Sequence, residues 1–294
     1  MTRRTYTDSE ILAAVQAAGS QRKAAKALGI HSRTLERRLA RMSEPPPHRI
    51  LVIDIETRPL LGYVWGTFNQ NLGPSQVVDW GGMLCFAAKW DGEDDVMFHA
   101  EWGRGGKERM LRAALRLLDE ADAVVGWNSQ RFDVRWIKGE LHRYGFRKPT
   151  PFKNVDLMRE QKREMFLYSN KLESRRRWLG KEGKVETGGF SLWRGCMDGD
   201  REARRLMEEY NRADVEITQE EFDAMRHGGW LKALPNASLH GGHCCPACGG
   251  ERLQAHKPYE AQTRRYALWV CQDCGTASRS TKAEPGAAQL RVAA

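Results

Sequence analysis

The sequence predicts an α/β protein, a mixed sheet flanked by helices, with a small all-α module before it and a cysteine-rich module after it. Three observations carry this prediction. Short apolar, β-branched runs at 50–55, 83–90, 96–99 and 123–126 are separated by turns and by a strongly amphipathic stretch at 107–120, the order expected of strands and helices sharing one sheet. Three short helical patterns precede Pro45-Pro46-Pro47. Four of the 7 cysteines fall in two Cys-x-x-Cys pairs near the C-terminus, a spacing that favours metal ligation over a disulfide framework. The formal net charge of +9 points to a polyanionic partner. No stretch approaches the roughly 20 apolar residues of a membrane span, and Met1-Thr2-Arg3-Arg4-Thr5-Tyr6 does not open a signal peptide. A soluble cytoplasmic protein that binds nucleic acid, not membrane, is expected.

Residues 1–44 read as a basic three-helix module. Asp8 or Ser9 caps a first helix that runs to Ala18, with Ile11, Leu12 and Val15 on its apolar side and Gly19 at its end. Ser20 begins a second helix, 21–28, whose packing face is Ala24, Ala25 and Leu28. Gly29-Ile30-His31 is a tight turn, and Ser32 caps a third helix rich in arginine. Helix, glycine turn and basic helix form the helix-turn-helix pattern. The phrase Ala24-Ala25-Lys26-Ala27-Leu28-Gly29-Ile30-His31-Ser32-Arg33-Thr34-Leu35-Glu36-Arg37-Arg38-Leu39 resembles the DNA-binding domain of bacterial nucleoid and enhancer-binding regulators. That resemblance implies that Ser32, Arg33, Thr34 and Arg37 lie near DNA; a protein-interaction module is the plainer alternative. Residues 45–49 make a stiff, extended linker.

The main domain is expected over 50–227. Its first strand ends in Asp54-Ile55-Glu56. Alternation sends both acids to one face and Ile53 and Ile55 to the other. Two acids side by side at a strand end repel unless a cation lies between them, which is how hard divalent ions are held for phosphoryl chemistry. Residues 58–80 are a long excursion containing a strand at Tyr63-Val64-Trp65. The strand at 123–126 leads directly into Trp127-Asn128-Ser129-Gln130-Arg131-Phe132-Asp133, where Phe132 anchors the helix that follows, 133–144. Asp156 ends a further short strand and is read as structural. From 157 to 179 the pattern is helical and basic; Lys171 and Arg175 stand among cations that could line a phosphate track, or simply face solvent. Residues 180–196 read as loop with a short helical patch, with Lys181, Lys184 and Gly188-Gly189 at the substrate mouth. A helix starting at Asp200 carries Tyr210 and Asp214 one turn apart on the same face.

Asp54-x-Glu56, Asn128-x-x-x-Phe132-Asp133 and Tyr210-x-x-x-Asp214, in this order, resemble the three motifs of the DnaQ-like, or DEDD, 3′–5′ exonucleases, which share a ribonuclease H-like fold. Tyrosine four before the last aspartate matches their tyrosine subclass, and the wider wording is similar to bacteriophage-encoded members. The resemblance implies that Asp54, Glu56, Asp133 and Asp214 hold two Mg²⁺ or Mn²⁺ ions roughly 4 Å apart. One ion, with Tyr210, would position water for in-line attack, and the other would stabilise the departing 3′ oxygen. Asn128 and Phe132 would support the site beside the nucleic acid. Trp127 departs from the His or Tyr many relatives carry before the asparagine, at a position not expected to bind metal. The implied activity is release of nucleoside monophosphates from DNA ends. A structure-selective endonuclease or RNA-trimming enzyme would use the same residues, and a non-catalytic DNA-binding regulator is the reading outside enzymes.

After a connection at 228–242, residues 243–282 contain Cys245-Pro246-Ala247-Cys248-Gly249 and Cys271-Gln272-Asp273-Cys274-Gly275 around a hairpin-like segment. The arrangement resembles a zinc ribbon, with Cys245, Cys248, Cys271 and Cys274 holding one structural Zn²⁺. His243 and Cys244 are alternative ligands. Residues 283–294 read as a tail.

Overall fold

Strict alternation along one strand sets the architecture of the larger part of the molecule. The computed structural model describes residues 6, 8–43, 49–181, 187–231, 242–286 and 288. The Leu12 and Arg37 side chains, the Pro45-Pro46-Pro47 linker, Lys184, the connection at 232–241 and the tail at 289–294 lie outside the described residues. The chain divides into two units, residues 1–47 and 48–294.

In the first unit, α1 (Asp8–Ala18), α2 (Gln21–Leu28) and α3 (Ser32–Ser43) close over Ile11, Ala24, Ala25 and Leu35. The two alanines let α2 approach its neighbours closely. The Ser20 hydroxyl accepts the Lys23 N–H at 3.4 Å, and Gly29, at φ 64°, ends α2 in the left-handed conformation that an L side chain resists. Ser32 is not the cap of α3. It is the first helical residue, and His31 Nδ1, one position earlier, accepts the Arg33 N–H at 3.2 Å. Arg33 and Thr34 are exposed, and Ser32 is half-buried.

The second unit is built on a five-stranded sheet of order β5-β4-β1-β6-β7. Its strands are β1 (Ile50–Arg58), β4 (Gly82–Trp90), β5 (Val96–Ala100), β6 (Ala123–Gly126) and β7 (Lys153–Asp156). β1 runs antiparallel to β4 and parallel to β6, and β6 runs parallel to β7. Odd-numbered Leu51, Ile53 and Ile55 pack under α4 (Gly106–Glu120) and α5 (Asp133–Arg143). Even-numbered Ile50 and Val52 pack with Val215, Phe222 and Met225 of α9 (Arg201–His227). Burial on both faces explains why these strands read as nearly continuous apolar runs. The sheet is mixed and covered by helices on both sides, as the sequence predicts. No described helix is long and apolar enough to cross a membrane.

Several expectations are corrected. The excursion after β1 does pair with itself, but through β2 (Leu61–Gly62) and β3 (Val77–Asp79), not through Tyr63-Val64-Trp65. At Gly62 a Cβ would lie 2.9 Å from the Gln76 carbonyl oxygen, so the close approach requires glycine there. Beyond it the chain leaves the ladder, and Trp65 is 97% exposed. The short helical patch expected within the loop at 180–196 is a full helix, α8 (Phe190–Asp198), which runs past that segment and buries Leu192 and Cys196 against Leu84 and Met207. Phe132 does not anchor α5 in the core: it is exposed and meets Trp136 edge-on.

The basic stretch at 157–179 becomes α6 (Leu157–Glu164) and α7 (Leu172–Trp178). Arg175 lies inside the fold, 5% exposed, with its Nε on Glu221 of α9 and its Nη1 on Gln161 Oε1 at 3.1 Å. Arg176 pairs with Glu220 at 2.8 Å. Arg175 therefore ties α7 to α9 and has no face for a phosphate backbone, because a buried guanidinium must keep its carboxylate partner. Lys171 is the exposed residue that precedes α7.

The cysteine-rich segment forms a three-stranded antiparallel sheet, β10-β9-β8, from β8 (Leu253–Glu260), β9 (Arg265–Cys271) and β10 (Ala277–Arg279). Its β8–β9 register slips between His256 and Tyr259, where Pro258 offers no N–H to the ladder.

Candidate active site

The parallel ladder between β1 and β6 stops at Val52–Val125. Beyond that point the two strand ends separate, opening the kind of crevice at carboxyl ends where ligands settle in open α/β sheets. Gly126 lets the turn that follows fold back tightly, since a Cβ there would lie 2.7 Å from the Ser129 Cβ and 3.1 Å from the Ile53 carbonyl oxygen. The Ile55 N–H, left without a β6 carbonyl, donates instead to Asp133 Oδ1 at 3.1 Å. Asp133 is thus buried at the first position of α5, immediately beside the strand that carries Asp54 and Glu56.

Asp54 and Glu56 project from β1 toward α9, whose Asp214 is nearly fully buried. One carboxylate oxygen from each of Asp54, Glu56 and Asp214 lies within 4.8 Å of the others. Asp133 is not among the three that meet. Three carboxylates this close repel strongly in a partly dry site, and hard oxygen donors at this separation suit a Mg²⁺- or Mn²⁺-sized cation far better than a soft metal.

Neighbouring donors fix these acids. Asn211, fully buried on α9, donates its Nδ2 hydrogens to Asp54 Oδ2 at 2.7 Å and to the Asp54 carbonyl at 3.3 Å. Trp193 on α8 donates its indole N–H to Glu56 Oε2 at 3.2 Å, and its ring meets Tyr210 edge-on at 6.1 Å. The Tyr210 hydroxyl is hydrogen-bonded to Asp214. Burial first, and then the carboxylates of Asp214, Glu56 and Asp54, push this phenol far above its ordinary range, so it stays protonated. Behind the site, burial and then Glu56 push the Cys85 thiol up as well, leaving it a neutral packing group.

The loop leading to Asp133 is held by Asp156. Its carboxylate accepts the N–H groups of Asn128 at 3.2 Å, Gln130 at 3.1 Å and Arg159 at 3.2 Å, which gives it the structural role expected. Asn128 sits at φ 65° and its buried Oδ1 has no hydrogen-bond partner among the described residues. Trp127 donates its indole N–H to the Asn170 carbonyl at 3.0 Å. Reading the sequence missed Asn211 and Trp193. Asn211 looks like any polar helix residue, and its position directly after Tyr210 is the only signal it offers. Trp193 fell in a segment read as loop with a short helical patch.

A second centre lies in the cysteine-rich sheet. The ligand atoms of Cys245, Cys248, Cys271 and Cys274 are within 4.8 Å of one another. The Sγ atoms of Cys245 and Cys274 are 3.6 Å apart, and those of Cys248 and Cys271 are 3.7 Å apart. These separations match the edges, about 3.8 Å, of a tetrahedron with metal–sulfur bonds of about 2.3 Å, and are far too long for disulfides. Each knuckle closes through a glycine N–H, Gly249 to the Cys245 carbonyl and Gly275 to the Cys271 carbonyl, both at 2.9 Å. Cys244 is outside this group, and the His243 ring packs edge-on against Trp269.

The family model described as the RNase_H superfamily matches residues 83–225. The match includes Asp133, Tyr210 and Asp214 and begins after Asp54 and Glu56. Among solved structures, that of the family B DNA polymerase from the hyperthermophilic archaeon Pyrobaculum calidifontis is similar at 17% identity, with a TM-score of 0.44 over 76% of this chain and 32% of that chain. The chain therefore spans about a third of that polymerase's length. No curated protein matches. The central sheet and its helices are a ribonuclease H-like domain, accompanied by a four-cysteine cluster able to hold a metal.

Proposed function

We propose that the central domain is a metal-dependent nuclease that hydrolyses phosphodiester bonds in nucleic acid. The observation that carries this is the convergence of Asp54, Glu56 and Asp214 within 4.8 Å at the open end of β1, in a ribonuclease H-like fold. Divalent ions bound there would polarise a phosphoryl oxygen and make water a usable nucleophile near neutral pH. The protein's own residues do the positioning. Asn211 and Trp193 lock the Asp54 and Glu56 carboxylates, Tyr210 offers a neutral hydroxyl beside Asp214 to orient the attacking water, and Asp133 is proposed as the fourth acid of the centre. The N-terminal unit, with Arg33 and Thr34 exposed on α3, is proposed to bind DNA. The four cysteines are proposed to hold one structural zinc.

The superfamily-level match and the three-acid cluster support hydrolysis and say nothing of an end. They support a structure-selective endonuclease or RNA-trimming enzyme at least as well as a 3′–5′ exonuclease, which rests on the order of the three motifs and on Tyr210. A time course on 5′-labelled single-stranded and duplex DNA and RNA, with covalently closed DNA alongside, tests these readings in Mg²⁺, Mn²⁺ or no added metal. Nicking of closed DNA would assign endonuclease action. Shortening only from the 3′ end, with closed DNA intact, would assign the exonuclease. No cleavage of any substrate with Mn²⁺ would leave a non-catalytic nucleic-acid-binding protein and overturn the proposal.

A further inference from the structure

Two adjoining hollows, each of about 560 Å³, lie between α5 and the β7–α6 edge of the sheet. Both are lined by Gln130, Arg131, Asn154 and Arg159, so they form one continuous groove. Besides Arg163, its cations are Arg131, Arg135 and Lys138 on one wall, Lys153 on the floor, and Arg159 and Lys162 on the other wall. None of these six forms an ion pair with a described residue. Arg135 and Lys138 stand three residues apart on one face of α5, and Arg131 lies just before its start. The acids at the groove are already committed: Asp156 to the backbone N–H groups of the motif loop, and Glu160 to Arg163 at 3.0 Å. The Lys138 ammonium, above the Phe152 ring at 5.2 Å, is held below its usual range by burial and then by Lys148.

A protein does not gather this many like charges along one groove without cost, and a bound polyanion offsets it. The nuclease reading selects a phosphate backbone over an acidic polypeptide. The groove is lined by Arg131, two residues before Asp133 at the start of α5. Resting on the nuclease reading for its location, we propose that this groove binds the phosphodiester backbone of the substrate strand beyond the cleavage site, independently of base sequence.

The test is equilibrium binding of a fluorescein-labelled single-stranded 30-mer to the full chain across a salt series, without added Mg²⁺ or Mn²⁺. Binding does not require cleavage, so a catalytically silent protein still tests the groove. The triple variant Lys153→Gln, Arg159→Gln, Lys162→Gln should flatten the slope of log K against log salt by about 2–3, at ~0.7–0.9 per phosphate contact. A charge-conserving triple, Lys153→Arg, Arg159→Lys, Lys162→Arg, should keep the wild-type slope, which separates lost charge from damaged structure. An unchanged slope in the neutral triple, or equal losses in both triples, would overturn the proposal. So would wild-type binding of a poly-glutamate peptide that the neutral triple loses while its oligonucleotide slope is unaltered.

Discussion

Replacing Asp214 by Asn removes one charge from the three-acid cluster and leaves its shape and its acceptor for Tyr210 in place. At 4.8 Å two unit charges repel by about 3.5 kcal/mol at an effective dielectric near 20. Asp54 and Glu56 are partly exposed, so water screens the site, and about half that value per pair is the better figure. Asp214 takes part in two of the three pairs, and desolvating a new buried amide N–H offsets part of the relief. The net expectation is that Asp214→Asn stabilises the metal-free protein by about 1–3 kcal/mol, or about 3–8 °C for a domain of this size. Mn²⁺ should act oppositely. At one hundred times its dissociation constant it stabilises wild type by about 2.7 kcal/mol, and the variant should lose most of that shift. Calorimetry of the full chain, read on the transition that Mn²⁺ moves, checks both halves. A variant less stable than wild type without metal, or one that keeps the wild-type Mn²⁺ shift, would refute the argument that these acids form a cation site.

The other predictions concern the groups around the acids. Asn211→Ala should weaken Mn²⁺ binding by about 10-fold or more, as loss of a ligand-orienting group does, and titration calorimetry would measure it. Tyr210→Phe should spare Mn²⁺ affinity and slow hydrolysis by about 10–100-fold through poorer orientation. Because the carboxylates and burial keep this phenol protonated, the slowing should be the same factor from pH 6 to 10; a deficit that appears only at high pH would contradict a neutral-donor role. Glu221→Gln strands the buried Arg175 charge, and urea unfolding should show a loss of about 3–5 kcal/mol, smaller in the double variant Arg175→Met, Glu221→Leu. One equivalent of zinc should be released when a mercurial titrates the Cys245, Cys248, Cys271 and Cys274 thiols, with loss of the β8–β10 sheet by circular dichroism.

What could be read along the chain was whatever depends on near neighbours. Alternation in β1 placed Asp54 and Glu56 on one face, helical spacing placed Tyr210 beside Asp214, and paired Cys-x-x-Cys knuckles announced a four-thiol cluster. Period and spacing are local properties that tertiary context rarely reverses when a strand is buried on both sides. Contacts between residues far apart in sequence were not legible. Asn211 reaches Asp54 and Trp193 reaches Glu56 only because α9 and α8 fold over the open end of β1. Arg175, one of several similar arginines in a basic run, is singled out by Glu221 two helices later. Charge alone cannot tell an arginine that faces solvent from one that closes a core. Asp133 was expected as a fourth acid of the site, but it is not among the three that meet, and its bond to the Ile55 N–H follows from where the β1–β6 ladder happens to stop. The sequence by itself determined the elements and the chemistry of the side chains they carry; only the packing of strands that part and helices that cross decided which of those side chains meet.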